Sequence, residues 1–532
     1  MSGEELTARA TAGGNHGNPL RGAGSAPTSN VLIAARTWLP IFAASLGLFL
    51  LRFLVPTPVA QADNRDGPRL LCGLGLGPVT GGHPPFFRYA YFEYVTRAYC
   101  GSRAPYPSSE LVPLEIGRVL TPVFGLRGEL NMIAVGVLIS VLASAGIASL
   151  AVGLRMRLWA QLLVAAVVWL IMADAAFFDT YAGPFSEPVA LVGLLLVAAG
   201  VVYLGRGWRS TLFGLTLAGT GGFLAILSKE QYLILAGPIC LTLVLASAAP
   251  GPWYRLRRFR TRQALASLVV AALLALLAVG YVGWDFTSTY GKRLHYIQAV
   301  DMIFTDIVTH RATAPAQLRS LGLPVSWARY AGRYYWEAGS VRTSPDFSRY
   351  EGQLSDRTIA HYLLTHPGSI VGIGQSAAEQ AQLVRDSVLG DYPASAGYPP
   401  GHTESRVTAL TWLMQRLPRQ AGLLWYLPLW SAMAAVAILA QTGARRLPWH
   451  RDGSVLVLCM VGCAIAAFIP PAYFAGISTS RHTVGTNLAT ALALVIATAL
   501  GVSMACQAFK KAPPRRAANS SATAPEIAKR GS

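Results

Sequence analysis

Long apolar runs alternate with short polar turns along most of this chain, and the runs have the length of membrane-crossing helices. Ten are predicted as spans, over about Thr37–Val59, Asn131–Leu154, Leu158–Phe178, Val189–Leu204, Thr211–Leu227, Tyr232–Ala249, Ala264–Trp284, Leu423–Ala440, Val455–Phe474 and Thr486–Ala508. At 1.5 Å per residue, about 20 such residues cover a hydrocarbon core roughly 30 Å thick. The fold class that follows is an all-α polytopic membrane protein.

The connections divide into two kinds. Arg155/Arg157, Arg206/Arg209, the cluster from Trp253 to Arg262 and the segment Ala444–Arg451 are basic, whereas the alternate turns are not. The positive-inside bias puts the basic set, and with it both termini, on the cytoplasmic side. Residues 1–36 and 509–532 read as disordered tails, 37–284 as a first transmembrane module with an outer loop over 60–129, and 421–508 as the last helices. In the outer loop, the aromatic stretch Phe86–Tyr99 and the segment Leu111–Leu126 suit short helices lying at the headgroup boundary. Residues 285–420 mix polar and apolar positions and suit a small, mainly helical extracytoplasmic domain.

Composition agrees with that outline. The 532 residues are 53% hydrophobic and 13% charged, which excludes an ordinary soluble domain. A net charge of +19 would in a soluble chain point to nucleic acid, but here the cations lie between apolar runs, so no nucleic-acid partner is expected and membrane lipid is. Cys240, Cys459, Cys463 and Cys506 fall in apolar runs; Cys72 and Cys100 share the outer loop and are a disulfide candidate. No spacing of Cys and His supports a metal site, and His83, His295, His310, His361, His366 and His402 read as surface or packing residues. The stretch Val371–Ala377, VGIGQSA, lacks the context of a nucleotide loop and reads as a tight turn.

Candidate chemistry gathers in the non-basic turns: Asp63 to Arg69, Asp179 to Glu187, Lys229 to Gln231, and Arg481 with His482. Ionisable groups at a bilayer boundary cost from a fraction to about 3 kcal/mol each, so they need a partner or a task. A carboxylate there can take the proton of an attacking hydroxyl. Cations beside it can stabilise a departing phosphate. Asp66 or Asp63 suits the first role, and Arg69, Lys229, Arg481 and His482 the second.

An uncleaved first span, a long first outer loop with an Asp just past the membrane, and many later spans resemble the GT-C superfamily of polyprenyl-phosphate-sugar glycosyltransferases. More narrowly, NRDGPRLLCGLGL (Asn64–Leu76), FFDTYAGPFSEP (Phe177–Pro188), SKEQ (Ser228–Gln231), LGLPVSWARYAG (Leu321–Gly332) and SRH (Ser480–His482) are similar to elements of bacterial WsfD-type glycan hexose transferases. The resemblance implies a GT-C-like bundle. It implies transfer of a sugar from a polyprenyl-phosphate donor to a cell-envelope glycan or glycolipid at the outer face of the plasma membrane, with the polyprenyl-phosphate sugar as donor substrate and the requirement for a divalent metal left open.

The family's Gly-Asp-aromatic-x-Arg element falls on Asp66 and Arg69, with Arg65 and Gly67 departing from its flanks, and Asp63 stays a candidate beside it. Glu187, Lys229, Gln231, Arg481 and His482 match further polar positions as donor-phosphate or substrate ligands. Two rival readings remain open from the residues: a transporter or flippase for a lipid-linked or anionic glycan, and a polymerase or ligase using a diphosphate-linked donor.

Overall fold

A chain segment in lipid must satisfy its own backbone hydrogen bonds, so apolar runs fold as helices. The computed structural model describes residues 26–79, 86–97, 107–248, 257–385, 389–442, 447–474 and 479–511. Helix α1 (Ala26–Leu54) begins well before the predicted Thr37, so part of the expected tail is helical. After it come α2 (Gly67–Gly73) and the outer loop.

The loop holds a correction. The aromatic stretch expected as an interfacial helix contains a strand: β1 (Leu76–Pro78), β2 (Glu93–Thr96) and β3 (Leu130–Asn131) form an antiparallel sheet in that order. Leu76 pairs with Thr96 and Glu93 with Asn131, so β2 is held from both sides by residues distant in sequence. The segment near Leu111 does form a helix, α3 (Leu111–Val123). Its Leu114, Gly117 and Thr121 pack inward, while Val112, Ile116, Val119 and Val123 make an exposed apolar stripe of the kind a headgroup region covers.

The bundle continues with α4 (Met132–Gly153), capped by the Asn131 carboxamide on the Ile133 N–H at 3.0 Å, then α5 (Leu158–Met172), the single turn α6 (Ala175–Phe178), α7 (Glu187–Val201) and α8 (Trp208–Ile226). A 3-10 turn over Glu230–Leu235 leads into α9 (Ala236–Ala248) and the long α10 (Arg257–Thr287). The last helices are α16 (Gly422–Thr442), α17 (Pro448–Tyr473), the turn α18 (Thr479–His482) and α19 (Val484–Lys511), after a region holding α11 to α15.

Among the described residues six helical segments are long and apolar enough to cross a membrane: Arg36–Leu54, Met132–Gly153, Thr261–Thr287, Gly422–Thr442, Pro448–Tyr473 and Val484–Phe509. The other four predicted runs are also helical. However, α5 and α7 have 15 residues each, a reach of about 22 Å. For α7 the shortness has a reason: every one of its residues is buried in protein, so lipid thickness does not set its length.

Glycine lets α7 sit there. A methyl added at Gly193 would stand 2.6 Å from the Gly221 carbonyl of α8, and one at Gly200 2.5 Å from the Gly214 carbonyl. The reverse approaches are equally close, 2.5 Å for Gly221 on Gly193 and 2.6 Å for Gly214 on Gly200. Two glycines seven residues apart on each helix thus bring the backbones into contact, the usual device for helix association in lipid.

Among the described residues the basic turns meet at one end of the bundle, where Arg206 pairs with Asp452 at 2.6 Å and Tyr203 donates to the Ser149 carbonyl at 2.9 Å. The non-basic turns lie at the other end.

There the region 285–420 adds α11 (Thr289–Asp301), a π-turn over Met302–Ile307, α12 (Ala314–Ser320), α13 (Asp356–Thr365), α14 (Pro367–Ala381) and α15 (Ala409–Arg416), joined by 3-10 turns. It has its own apolar core around the fully buried Trp327, whose indole N–H donates to Ser344 Oγ at 2.9 Å. Val371–Ala377, expected as a tight turn, lies inside α14, since neither Gly372 nor Gly374 is called on for a positive φ.

Cys72 is disulfide-bonded, and Cys100, its candidate partner, lies outside the described residues, as do residues 1–25 and 512–532 of the tails.

The α7–α8 contact yields a test. Gly221→Leu forces a branched side chain against the Gly193 carbonyl, and overpacking of this kind costs about 1–3 kcal/mol. The thermal midpoint of the detergent-solubilised protein is expected to fall well below that of Gly237→Leu, whose added carbon meets open space. Equal midpoints for the two variants would refute the role given to the contact.

Candidate active site

The polar residues of the site arrive on four separate elements. Past α1, Asp63 makes a local turn: its Oδ1 accepts the backbone N–H of Arg65 at 2.7 Å and of Gly67 at 3.0 Å. Such Asx turns tolerate unusual backbone angles, and Arg65 sits at φ 84, with its guanidinium 5.7 Å over Phe86 and 5.8 Å over Phe87. The turn pins Asp66 at the start of α2. Gly67 is needed here, since a Cβ would lie 2.4 Å from Asp63 Oδ2.

Asp66 faces a different set. Its Oδ2 accepts from Arg481 Nη2 at 2.5 Å and from Asn64 Nδ2 at 3.2 Å, and its Oδ1 from Arg69 Nη1 at 3.2 Å. Arg481, just before α19, also places Nε 3.3 Å from Glu187 Oε1. The same Glu187 oxygen lies 3.4 Å from Lys229 Nζ, and Lys229 Nζ lies 3.2 Å from His482 Nε2. Gln231 donates to the His482 carbonyl at 3.2 Å, which makes it a tie between the α8–α9 connection and α18. All eight predicted site residues therefore occupy one end of the bundle, and seven are linked by hydrogen bonds and ion pairs within it; Asp63 supports the turn from behind.

The electrostatics separate the two aspartates. Burial would raise both. For Asp66 the charges of Arg481, Lys229 and Arg69 outweigh burial and hold its carboxyl well below the usual carboxylate range. For Asp63, buried and close to the Asp66 charge, burial wins and pushes the carboxyl up to about 7. Asp66 retains 24% side-chain exposure, so it is both ionised and reachable. His482 is held well below its ordinary value by burial and by Lys229 and Arg481, so the ring is neutral. With Nε2 accepting from the ammonium, Nδ1 carries the proton, and it has no partner among the described residues. Asp66, Glu187, Arg69, Arg481 and Lys229 together sum to a single positive charge. That balance suits an anionic ligand.

Residues that spacing along the chain could not reveal surround this group. Arg69 lies 5.8 Å over the Tyr290 ring. Beyond it His295, expected as a surface or packing residue, bridges Asp285 at 2.7 Å and Asp356 at 3.2 Å, and those two bonds push it up to about 10, so it is cationic. Glu110, fully buried at the start of α3, is raised well above the usual carboxylate range by burial and then by the Glu187 charge. None of these pairs shares a sequence spacing that signals contact.

Asp179, grouped with Glu187 in the sequence, belongs to another network. It pairs with Arg52 at 3.3 Å and with Arg385 at 3.2 Å, and Arg385 also bonds Asp391 and the Glu404 carbonyl. The Asp179 carbonyl accepts the Gln61 N–H at 2.6 Å, so this network braces the turn that holds Asp63. Among the described residues no group of three His, Cys, Asp or Glu is placed to hold a metal ion.

Residues 28–516 match the YfdI N-terminal transmembrane domain. The chain belongs to the YfdI family. The match takes in every element of the site, from α1 through α19, and makes this YfdI-family chain a multi-pass membrane protein. No curated protein matches it.

The raised Asp63 carboxyl gives a pH test. A group whose folded value lies near 7 against 3.8 unfolded contributes stability that is present below about 4 and is lost as pH rises through 7. Asp63→Asn keeps an oxygen for the two backbone N–H groups without the charge. Its thermal midpoint relative to the parent is expected to improve steadily from pH 5 to pH 8, whereas Asp63→Ala is destabilised throughout that range. A difference between Asp63→Asn and the parent that does not change with pH would refute the assignment.

Proposed function

We propose that the Asp66 cluster is the reaction centre of a GT-C-type glycosyltransferase, similar to the WsfD-type enzymes, that moves a sugar from a polyprenyl-phosphate donor to a cell-envelope glycan or glycolipid at the outer face of the plasma membrane. The observation that carries the reading is the arrangement Asp66–Arg481–Glu187–Lys229–His482: one reachable carboxylate within a cationic shell at the end of a helix bundle. Membership of the YfdI family supports it, because that family places the chain in cell-envelope glycan modification.

In this reading the donor phosphate lies against Arg69, Arg481 and Lys229. An acceptor hydroxyl attacks the anomeric carbon, the new C–O bond forms as the sugar–phosphate C–O bond breaks, and the hydroxyl proton passes to Asp66. The charge that grows on the leaving phosphate is met by cations already in place and by the His482 Nδ1–H. An Asp held far below its usual range is a weak base at rest. Arg481 removes the difficulty, since it is shared between Asp66 and Glu187. As the phosphate draws the guanidinium away, Asp66 loses its largest counter-charge and its basicity rises.

A transporter would keep charges near the bilayer midplane, on broken helices. The charged groups of the described candidate spans lie instead near their ends, Arg36 and Arg52 on α1, Arg262 and Asp285 on α10, and Arg451 and Asp452 on α17, and Glu187 opens the shorter α7. That distribution favours chemistry at a surface. The basic turns at the opposite end support a cytoplasmic placement for that end and an outer placement for the site.

The test is transfer by purified protein from a small panel of polyprenyl-phosphate sugars. Asp66→Asn is expected to lower the rate by roughly 10²–10⁴-fold, the usual worth of a general base, with an unchanged gel-filtration profile. Full activity in Asp66→Asn would move the base to Asp63 or end the scheme. Movement of labelled lipid across proteoliposomes without a new glycosidic bond would favour the transporter.

A further inference from the structure

Away from the Asp66 cluster, a cavity of about 290 Å³ opens beside α15, lined among others by Arg385, Glu404, Thr408, Thr411, Trp412 and Gln415. Its floor is polar and buried: Glu404 and Thr411 are buried, and Arg385 keeps only 10% of its side chain exposed, with an Nε that has no partner among the described residues. Its rim carries the exposed Trp412 and Gln415. A guanidinium, hydroxyls and a carboxamide around one indole recognise neighbouring hydroxyl groups on a compact ring. The volume is at the lower end for ligand sites, the scale of one or two sugar units.

A second cavity, about 380 Å³ and largely apolar, lies between α1 and α5, lined among others by Ile41, Ala44, Leu48, Leu162, Ala166 and Trp169. Both helices are apolar, and α1 supplies a candidate span, so this groove lies at membrane depth. Trp169 brings a buried indole N–H without a partner among the described residues. Five residues further on, two past the end of α5, Asp174 accepts the Thr411 hydroxyl at 2.5 Å and the backbone N–H groups of Leu410 and Thr411 at 2.8 and 3.0 Å. Thr411 lines the polar cavity. Asp174 thus fastens the polar cavity to the end of the apolar groove.

We propose that the two cavities form one site for a lipid with a sugar head, separate from the Asp66 cluster: the chain lies between α1 and α5, and the sugar hydroxyls meet Thr408 and Gln415 with the ring on Trp412. The role of this ligand as the acceptor rests on the glycosyltransferase reading; its binding does not. Segment 60–62 ties the two regions together, since the Ala60 N–H donates to the Asp391 carbonyl at 3.0 Å and the Ala62 N–H to the Gly390 carbonyl at 2.7 Å, one residue before Asp63.

The experiment measures equilibrium binding of tritiated decyl β-D-glucopyranoside, decyl α-D-mannopyranoside and decyl N-acetyl-β-D-glucosaminide to the full-length Asp66→Asn protein in nanodiscs, where no turnover interferes. At least one glycoside is expected to bind saturably, with decyl phosphate and decanol at least tenfold weaker as competitors. Trp412→Ala and Gln415→Ala, both on the exposed rim, are expected to weaken it tenfold or more, and so is Ala166→Trp, which fills the groove. Absence of saturable binding by all three glycosides, equal competition by decyl phosphate, or indifference to either the rim or the groove variants would overturn the proposal. Gel filtration and the thermal midpoint of each variant separate lost binding from lost folding. A negative result here leaves the Asp66 assignment standing, because that assignment is read from transfer by the parent protein.

Discussion

Contact between the backbones of α7 and α8 fixes the distance on which the polar cluster depends. Helices in lipid gain little from burying apolar side chains against one another, so close packing has to supply the cohesion. Gly193 and Gly200 facing Gly221 and Gly214 supply it, and the consequence appears at the helix ends. Glu187 opens α7 and Lys229 closes the connection after α8, so an antiparallel pair held this tightly delivers carboxylate and ammonium to the same place, 3.4 Å apart. With α7 buried on every side, neither group can relax into water. A buried ion left without its partner costs several kcal/mol, so Arg481 and His482 are drawn into the same knot.

A cluster assembled this way is satisfied at rest yet open to rearrangement. Glu187 receives two cations and Asp66 receives two, with Arg481 common to both. Such sharing means that an incoming anion need not find an idle cation; it needs only to compete for one that already has two partners. The change propagates in a defined direction, because Glu187 keeps its contact with Lys229 when Arg481 moves, whereas Asp66 keeps contact with the more exposed Arg69 and feels Lys229 at longer range. Electrostatic reorganisation is therefore concentrated on the carboxylate nearest solvent.

Much of this was legible in the sequence because it depends on local pattern. Apolar runs gave the helices, and the sign of each turn gave the end of the bundle at which Asp66, Glu187, Lys229 and Arg481 would meet. The aromatic stretch around Tyr94 misled for a physical reason: aromatics suit both a headgroup boundary and a strand, and the partners that decide the matter, Leu76–Pro78 and Leu130–Asn131, lie well to either side. Val371–Ala377 misled through its glycines, which helices in apolar surroundings tolerate. The clamp on His295 was out of reach altogether, since Asp285 and Asp356 flank it from 10 and 61 residues away and meet only through the outer domain's own fold.

The two aspartates three residues apart show how the backbone, rather than residue type, decides chemistry. Asp63 precedes a turn in which Arg65 adopts a positive φ, and that turn aims two N–H groups at its Oδ1. Hydrogen bonds to backbone lower a carboxyl, but here they do not recover what burial removes, so the group holds its proton up to about pH 7 and acts as a brace. The same turn rotates the chain so that Asp66 emerges toward Arg481 and Arg69. Exchanging the residues' roles would require Asp63 to leave its cap and carry a charge into a pocket without a cation in contact. The brace and the base are thus consequences of one turn, and the departure of Arg65 and Gly67 from the related Gly-Asp-aromatic-x-Arg pattern falls within it: Arg65 covers Phe86 and Phe87, and Gly67 gives Asp63 the room that a side chain would take.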